Sequence, residues 1–354
     1  MHDAPASVAR VIEAAVAARV SPGAVLEVGT SAGAVYHVVR GAQTYAADAP
    51  PVVADTIYDL ASLTKVLATL PLALRAHASG VLTLDARVSH LTVGDVTVED
   101  LLEHAAGFPA HYPFYRAVAG SAGYRRLLAA EPAAYAPRST HLYTDLGFIL
   151  LALLIDEASR LSFAHAFDTL RDAIAADLDL TFGVAHAQRA RVAPSGVDVW
   201  RGRMMHGLVH DGNAGALGGV AGHAGLFGTA PAVGACARWW LRLLRGHAPS
   251  PAGVTRDLAH RAVSRGAVPG SSRGLGWDTM LPTSSCGTRL SAAAFGHTGF
   301  TGTSLWIDPA RDVYVVLLTN RVHASDDPDG IRALRIAVHD AVADAWDAAT
   351  HDPA

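Results

Sequence analysis

Ser62 and Lys65 stand three residues apart in Asp59-Leu-Ala-Ser62-Leu-Thr-Lys65-Val-Leu-Ala-Thr-Leu. Of the 28 basic residues, Lys65 is the only lysine and the other 27 are arginines. A guanidinium does not give up its proton in a protein, whereas a buried amine can. If Ser62 opens a helix, positions i and i+3 share a face, and the amine falls within hydrogen-bonding reach of the hydroxyl. The helix N-terminus adds positive potential that favours the neutral amine. A neutral Lys65 can then take the Ser62 proton and turn the hydroxyl into a nucleophile. The bland alternative is an N-cap serine followed by an exposed lysine, and the pair alone does not decide between them.

Two further groups follow along the chain. His141-Leu-Tyr143-Thr-Asp145-Leu-Gly precedes an apolar helix expected over Phe148 to Ala158. Tyr143 is placed to relay a proton to a leaving group, and Asp145 to contact Lys65 or a substrate; a structural tyrosine and an N-cap aspartate are the alternative. Later come Phe295-Gly-His297-Thr298-Gly299-Phe300-Thr-Gly and two β-branched runs, Ser304 to Asp308 and Asp312 to Asn320. These read as antiparallel strands around a proline-containing turn. The glycines allow a strand edge to approach a ligand closely and to offer one N–H to an oxyanion. A glycine-rich hairpin without a ligand is the alternative.

Taken together, Ser62-Leu-Thr-Lys65, Tyr143-Thr-Asp145 and His297-Thr298-Gly299 resemble the S-x-x-K, Y-x-N and K/H-T-G marks of the serine β-lactamase and penicillin-binding-protein superfamily. The likeness is to its class C-like branch, which also holds DD-peptidases, cell-wall amidases and family VIII esterases. It runs from about residue 20 to 345 and includes Val96 to Pro109, similar to the segment before that family's cleft. The resemblance implies Ser62 as nucleophile, Lys65 as its base and Tyr143 as proton relay. It makes His297, Thr298 and Gly299 substrate-binding, with an oxyanion hole from the N–H groups of Ser62 and Phe300. It implies an α+β fold: an antiparallel sheet flanked by N- and C-terminal helices, with an inserted all-α region. The expected function is hydrolysis of a small amide or ester through an acyl-serine, on peptidoglycan-derived or D-amino-acid compounds with promiscuous esterase activity. A class C-like β-lactamase and a penicillin-binding sensor with little turnover are the alternatives.

Two departures bear on the substrate. His297 replaces the lysine usual in β-lactamases of this branch and weakens a fixed charge for a β-lactam carboxylate. Asp145 replaces asparagine, and a carboxylate beside Lys65 favours the charged amine. Either Tyr143 takes more of the base role, or Asp145 serves a cationic substrate group or a protonated His297. The segment Met205 to Thr229 resembles the V-H-D-x-N-A and G-H-A-G-L-F stretches of a sub-branch of cell-wall amidases and small penicillin-binding proteins. His206 and His210, with Asp211, are zinc-ligand types. There is no H-E-x-x-H, however, and the glycine-rich run after Asn213 reads as a loop bordering the cleft. No metal and no cofactor are expected.

The elements that must position these groups follow from periodicity. An amphipathic N-terminal helix precedes a hairpin, Ala24 to Thr30 and Ala34 to Gly41 around Ser31 to Gly33. Helical spacing dominates from Ser62 to about residue 260, including Leu63 to Leu74 with Pro71 as a kink or a local break and Pro231 to Leu244 with Thr229 as N-cap. Strands return from Gly274, and a helix over Gly330 to Ala348 closes the chain. The expected regions are a sheet region from 1–61 and 265–354 and a helical region from 62–264, with the site between them; residues 246–253 are the nearest thing to a linker. At 354 residues, 51% hydrophobic, 17% charged and a net charge of -4, the chain is long enough for a large core and lacks the basic stripe of a nucleic-acid binder. The apolar run Leu146 to Ile155 is too short to span a bilayer. Cys236 and Cys286 read as packing residues, and with no secretory signal in the first residues a cytoplasmic location is expected. The expected partner is a small-molecule amide or ester; oligomeric state is left open.

Overall fold

The computed structural model describes residues 3–89, 91–247, 253–323 and 327–351. Six strands form an antiparallel sheet in the order Asp278–Thr279, Phe295–Thr298, Ser304–Asp308, Val313–Thr319, Gly23–Gly29, Ala34–Gly41. The expected N-terminal hairpin is present, its turn closed by the Thr30 and Gly33 backbones at 2.8 and 3.2 Å.

Side chains alternate across a strand, and here each set enters a different core. Val25, Tyr314, Val316 and Leu318 face one side; Leu26, Val28, Val315 and Leu317 face the other. With both faces covered, the central strand Val313–Thr319 reads as a continuous apolar run, whereas the edge strand Ala34–Gly41 alternates. The terminal helices Ala6–Ala17 and Pro328–His351 cover the second face, through Val8, Ile12, Ile331, Leu334, Val338 and Val342. That three-and-four spacing is the apolar stripe of a surface helix. Helix Ala230–Leu244 covers the first face; Thr229 caps it, accepting the Ala232 N–H at 3.3 Å. Its Trp240 is buried against Trp277, ring centroids 5.5 Å apart and edge-on.

Between the two halves of the sheet in sequence lie helices, among them Leu70–Ala78, Leu146–Ser159 and Phe163–Ile174. The second is apolar on nearly every side because it is buried on nearly every side. A small sheet pairs Tyr58–Asp59 with Leu226–Gly228, and this fixes the segment entering Ser62. Cys236 and Cys286 are buried free thiols. Of the expected linker, residues 248–252 lie outside the described residues. Among those described, no helix is long and apolar enough to cross a membrane.

The sheet face under the terminal helices contributes to stability through its buried side chains. Leu26, fully buried there, loses about 2–5 kcal/mol of unfolding free energy on Leu26→Ala in urea titration. Val199→Ala, at a residue 93% exposed, stays within about 0.5 kcal/mol.

Candidate active site

Ser62 follows Ala61, whose φ of 47° is left-handed although alanine carries a Cβ. Such a residue costs about 1–3 kcal/mol and persists only where its surroundings fix it. Asp59 Oδ1 accepts the Ala61 N–H at 2.9 Å. The hydroxyls of Thr301 and Thr303 donate to the Asp59 and Leu60 carbonyls at 2.7 and 3.1 Å. Gly299 must be glycine for the same approach, since a Cβ there would stand 2.6 Å from the Leu60 carbonyl oxygen. The third motif is thus bonded directly to the turn bearing the serine.

The helix that follows is not the single α-helix expected over Leu63 to Leu74. A 3-10 turn at Ala61–Leu63 leads into a π turn at Lys65–Thr69, and α geometry begins at Leu70. Of the kink or local break expected at Pro71, the structure shows a change of helical register just before it. An unbroken α ladder would call on the N–H that proline lacks; the wider π register absorbs this before Pro71, which sits in the first turn of the α segment.

Lys65 is fully buried, and its Nζ meets three oxygens: Ser62 Oγ at 3.1 Å, Asp145 Oδ1 at 2.8 Å and the His223 carbonyl at 3.4 Å. Three acceptors match the three N–H bonds of an ammonium. Burial pulls the Lys65 pKa down, but Asp145 and then Tyr143 outweigh it and the net direction is up. Burial likewise pushes the Asp145 carboxyl up, and the Lys65 charge and the His111 hydrogen bond drive it below the usual carboxylate range. Asp145 occupies the N-cap position of Leu146–Ser159, yet its side chain caps nothing there. Thr144 Oγ1 accepts the Leu146 N–H instead, at 3.1 Å.

The turn carrying Tyr143 is templated by residues 104–110. His104 Nδ1 accepts the Thr144 N–H at 3.0 Å, Thr144 Oγ1 donates to the Pro109 carbonyl at 2.6 Å, and the Asp145 N–H donates to Ala110 at 3.1 Å. The His104 ring lies between those of Tyr143 and Phe148, 4.7 and 5.0 Å away. Burial, then Arg273 and Lys65, hold His104 well below the ordinary histidine value, so it stays neutral and its Nδ1 lone pair is available. The Tyr143 ring centroid is 4.8 Å from Lys65 Nζ.

On the opposite wall His297 is buried, and its Nδ1 lies 2.8 Å from the Thr298 carbonyl, which places the proton on Nδ1. Burial, then the Arg273 and Lys65 charges, push its pKa well below the ordinary value. This removes one expectation: Asp145 does not balance a protonated His297, but pairs with Lys65 and His111. A cleft of about 310 Å³ is lined by Ser62, Tyr143, His297, Thr298, Gly299 and Phe300 together with Arg273 and Arg335. The Arg273 guanidinium lies over the Tyr143 ring at 5.1 Å. Arg335 donates to the Gly299 and Thr303 carbonyls at 2.7 and 2.8 Å, tying the third motif to the C-terminal helix. The Phe300 N–H has no acceptor among the described residues.

All the site residues expected from sequence therefore border one cleft or the buried polar cluster behind it. His206 and His210 do not converge as zinc ligands: their segment is not helical, and they contact the Arg189 carbonyl and Ser195 Oγ at 2.9 and 3.2 Å. Asp145, Asp211 and His223 do come within 4.8 Å of one another. The first is held by Lys65, and Asp211 Oδ1 accepts the Ala214 N–H at 2.7 Å and faces His223 Nε2 at 2.8 Å. His104, His111, His223 and Arg273 were not singled out by sequence. His104 lies inside the stretch similar to the family's segment before the cleft and His223 inside the glycine-rich run bordering it, and that position is the signal that could have found them.

Comparison with known proteins agrees with this geometry. The beta-lactamase family model matches residues 8–339. An Escherichia coli protein described as "Putative D-alanyl-D-alanine carboxypeptidase" is 29% identical over 313 residues, covering 76% of this chain and 70% of that one. A class C β-lactamase from Rhodobacter sphaeroides superposes with a TM-score of 0.73 at 20% identity, covering 96% of this chain and 99% of the other. A simvastatin synthase from Aspergillus terreus does so at 0.75 and 19%, covering 97% and 99%.

The buried pair gives a direct test in Asp145→Asn. Removing one partner of a buried ion pair leaves a lone charge, so urea unfolding at pH 7 should show a loss of about 3 kcal/mol. The amine then loses its proton more readily, and the acid limb of kcat/KM should move to lower pH. An unchanged limb would mean that Asp145 does not control the charge on Lys65.

Proposed function

The chain belongs to the beta-lactamase family of serine hydrolases, and from that premise we propose that it cleaves small amides whose leaving group ends in a carboxylate, D-amino-acid peptides of the peptidoglycan kind, with esters as adventitious substrates. The observation that carries this reading is the 3.1 Å contact between Lys65 Nζ and Ser62 Oγ, shielded from water and opening onto a cleft with an arginine on its far wall.

In this reading Ser62 Oγ attacks the substrate carbonyl carbon while its proton passes to the Lys65 amine. The N–H groups of Ser62 and Phe300 hold the resulting oxyanion; losing one such donor typically costs ~10²–10³ in rate. As the C–N bond breaks, the proton travels through Tyr143 to the departing amine. Water then attacks the acyl-Ser62 ester, giving its proton back through the same groups and releasing the acid. Thr298 and Gly299, at the end of a sheet strand, align the substrate backbone.

Arg273 supports the choice of leaving group. Its guanidinium lies 5.1 Å from the Tyr143 ring on the cleft, and a carboxylate leaving there would meet it. His297, neutral and buried, supplies no fixed charge of the kind expected for an efficient β-lactamase. The solved structure of a synthase with the same fold keeps acyl transfer to a second nucleophile as an outcome for product analysis.

Turnover of a short p-nitrophenyl ester should fall by ~10²–10⁴ in Lys65→Arg, the range for loss of a general base, because arginine keeps the charge and cannot act as one. Equal rates in two folded proteins would remove the Ser–Lys assignment. Arg273→Gln should raise KM for a D-alanyl-D-alanine peptide by roughly 10–100-fold, the worth of a charged hydrogen bond, and leave ester hydrolysis near the wild-type rate. A KM unchanged on the peptide would place its carboxylate elsewhere.

A further inference from the structure

Asp145 stands between two basic groups. Its Oδ1 holds Lys65 at 2.8 Å, and its Oδ2 faces His111 Nδ1 at 3.4 Å. Lys65 is sealed from solvent, whereas the His111 side chain is 48% exposed. The backbone keeps them together, since the Asp145 N–H is bonded to Ala110, the residue before His111. The other charged group facing His111 is Asp211, at the N-cap of Gly212–Ala216, backed by His223. Apart from its histidines, this cluster holds two carboxylates, Asp145 and Asp211, against one ammonium, Lys65. It lacks one positive charge.

Resting on the Ser62–Lys65 reading above, we propose that His111 is a positioning residue for the base: as an imidazolium it takes up the second oxygen of Asp145, which frees Lys65 to exist as the neutral amine that accepts the Ser62 proton. Neutral His111 beside charged Lys65, and charged His111 beside neutral Lys65, have the same total charge. Their ratio does not depend on pH, so both belong to one protonation level of a coupled pair. The second form is the active one. Adding a proton fills Lys65, and removing one empties His111, so activity is bell-shaped in pH. The hydrogen bond to Asp145 raises the His111 pKa above the ordinary histidine value, with burial opposing, which favours the cation near neutrality. The substitution of aspartate for asparagine at 145 is thus matched by a histidine in a different loop.

The test is kcat/KM against pH for a p-nitrophenyl ester, in the wild type, His111→Gln, His111→Arg, Lys65→Arg, Asp145→Asn and the double variant His111→Gln/Asp145→Asn. The wild type should be bell-shaped. His111→Gln should lose about tenfold or more at pH 7, one pKa step, and rise steadily into alkaline pH. His111→Arg should regain the neutral-pH rate and lose the alkaline fall, because its charge is permanent. In the Asp145→Asn background, His111→Gln should change nothing. A His111→Gln profile superimposable on the wild type overturns the proposal, as does an equal loss at every pH in the Gln and Arg variants. Those outcomes leave the Ser–Lys reading standing if Lys65→Arg is inactive; a fully active Lys65→Arg overturns both.

Discussion

An ammonium with no access to water must find an acceptor for each N–H and a negative charge nearby, or it does not stay charged. Lys65 meets that constraint with one oxygen from its own turn, Ser62, and two from distant segments, Asp145 at the start of Leu146–Ser159 and the carbonyl of His223 in a glycine-rich loop. The cleft is built around this node. Any shift of one segment leaves a buried N–H or a buried carboxylate unmatched, so the positions of Ser62, the Tyr143–Asp145 turn and the loop are coupled. The same bonds set a chemical problem, because a lysine held this firmly as an ammonium is a poor base. The site must therefore contain a way of loosening the charge as well as of holding it.

The polarity of the cleft follows from where its charges lie. Behind the serine, carboxylates predominate: Asp145 and Asp211 lie within 4.8 Å of each other and of His223. On the side of the third motif arginines outnumber the one carboxylate, Asp278, with Arg273 beside Tyr143 and Arg335 bracing the backbone of Gly299. Under the proposed function, a substrate carrying a carboxylate on its departing half would enter with that end toward Arg273. Both buried histidines that border the reaction centre, His104 and His297, are kept neutral by burial and by these cations, and so act as hydrogen-bonding spacers without adding charge.

Much of this was legible in the amino-acid order. A lone lysine three residues after a serine, a tyrosine two before an aspartate, and a histidine opening a glycine-rich strand are unusual in type and spacing, and each lies at the cleft or against Lys65. The hairpin, the terminal helices and the strand runs were legible because two-residue and three-to-four-residue periods reflect which faces are covered. Other features left no mark that could be read. In a chain with 27 arginines nothing distinguishes Arg273, and among 18 histidines His111 stands out only when its neighbour in space is known. His223 contributes a carbonyl, which any residue could offer. The π turn at Lys65–Thr69 has no residue signature; it arises from fitting Pro71 into a helix whose first turn is fixed by Asp59, Thr301 and Thr303.

That Lys65 is the sole lysine gives the central claim a clean observable. With lysine labelled with carbon-13 at Cε, Lys65 is the one side-chain amine to report, and its shift against pH reads its charge directly. The account predicts a resting enzyme in which this resonance still reports the ammonium at pH 7 and titrates above the ordinary lysine value, moving down in Asp145→Asn. A wild-type resonance that reports mainly neutral amine at pH 7 would contradict it, since the ion pair with Asp145 would then not govern the site.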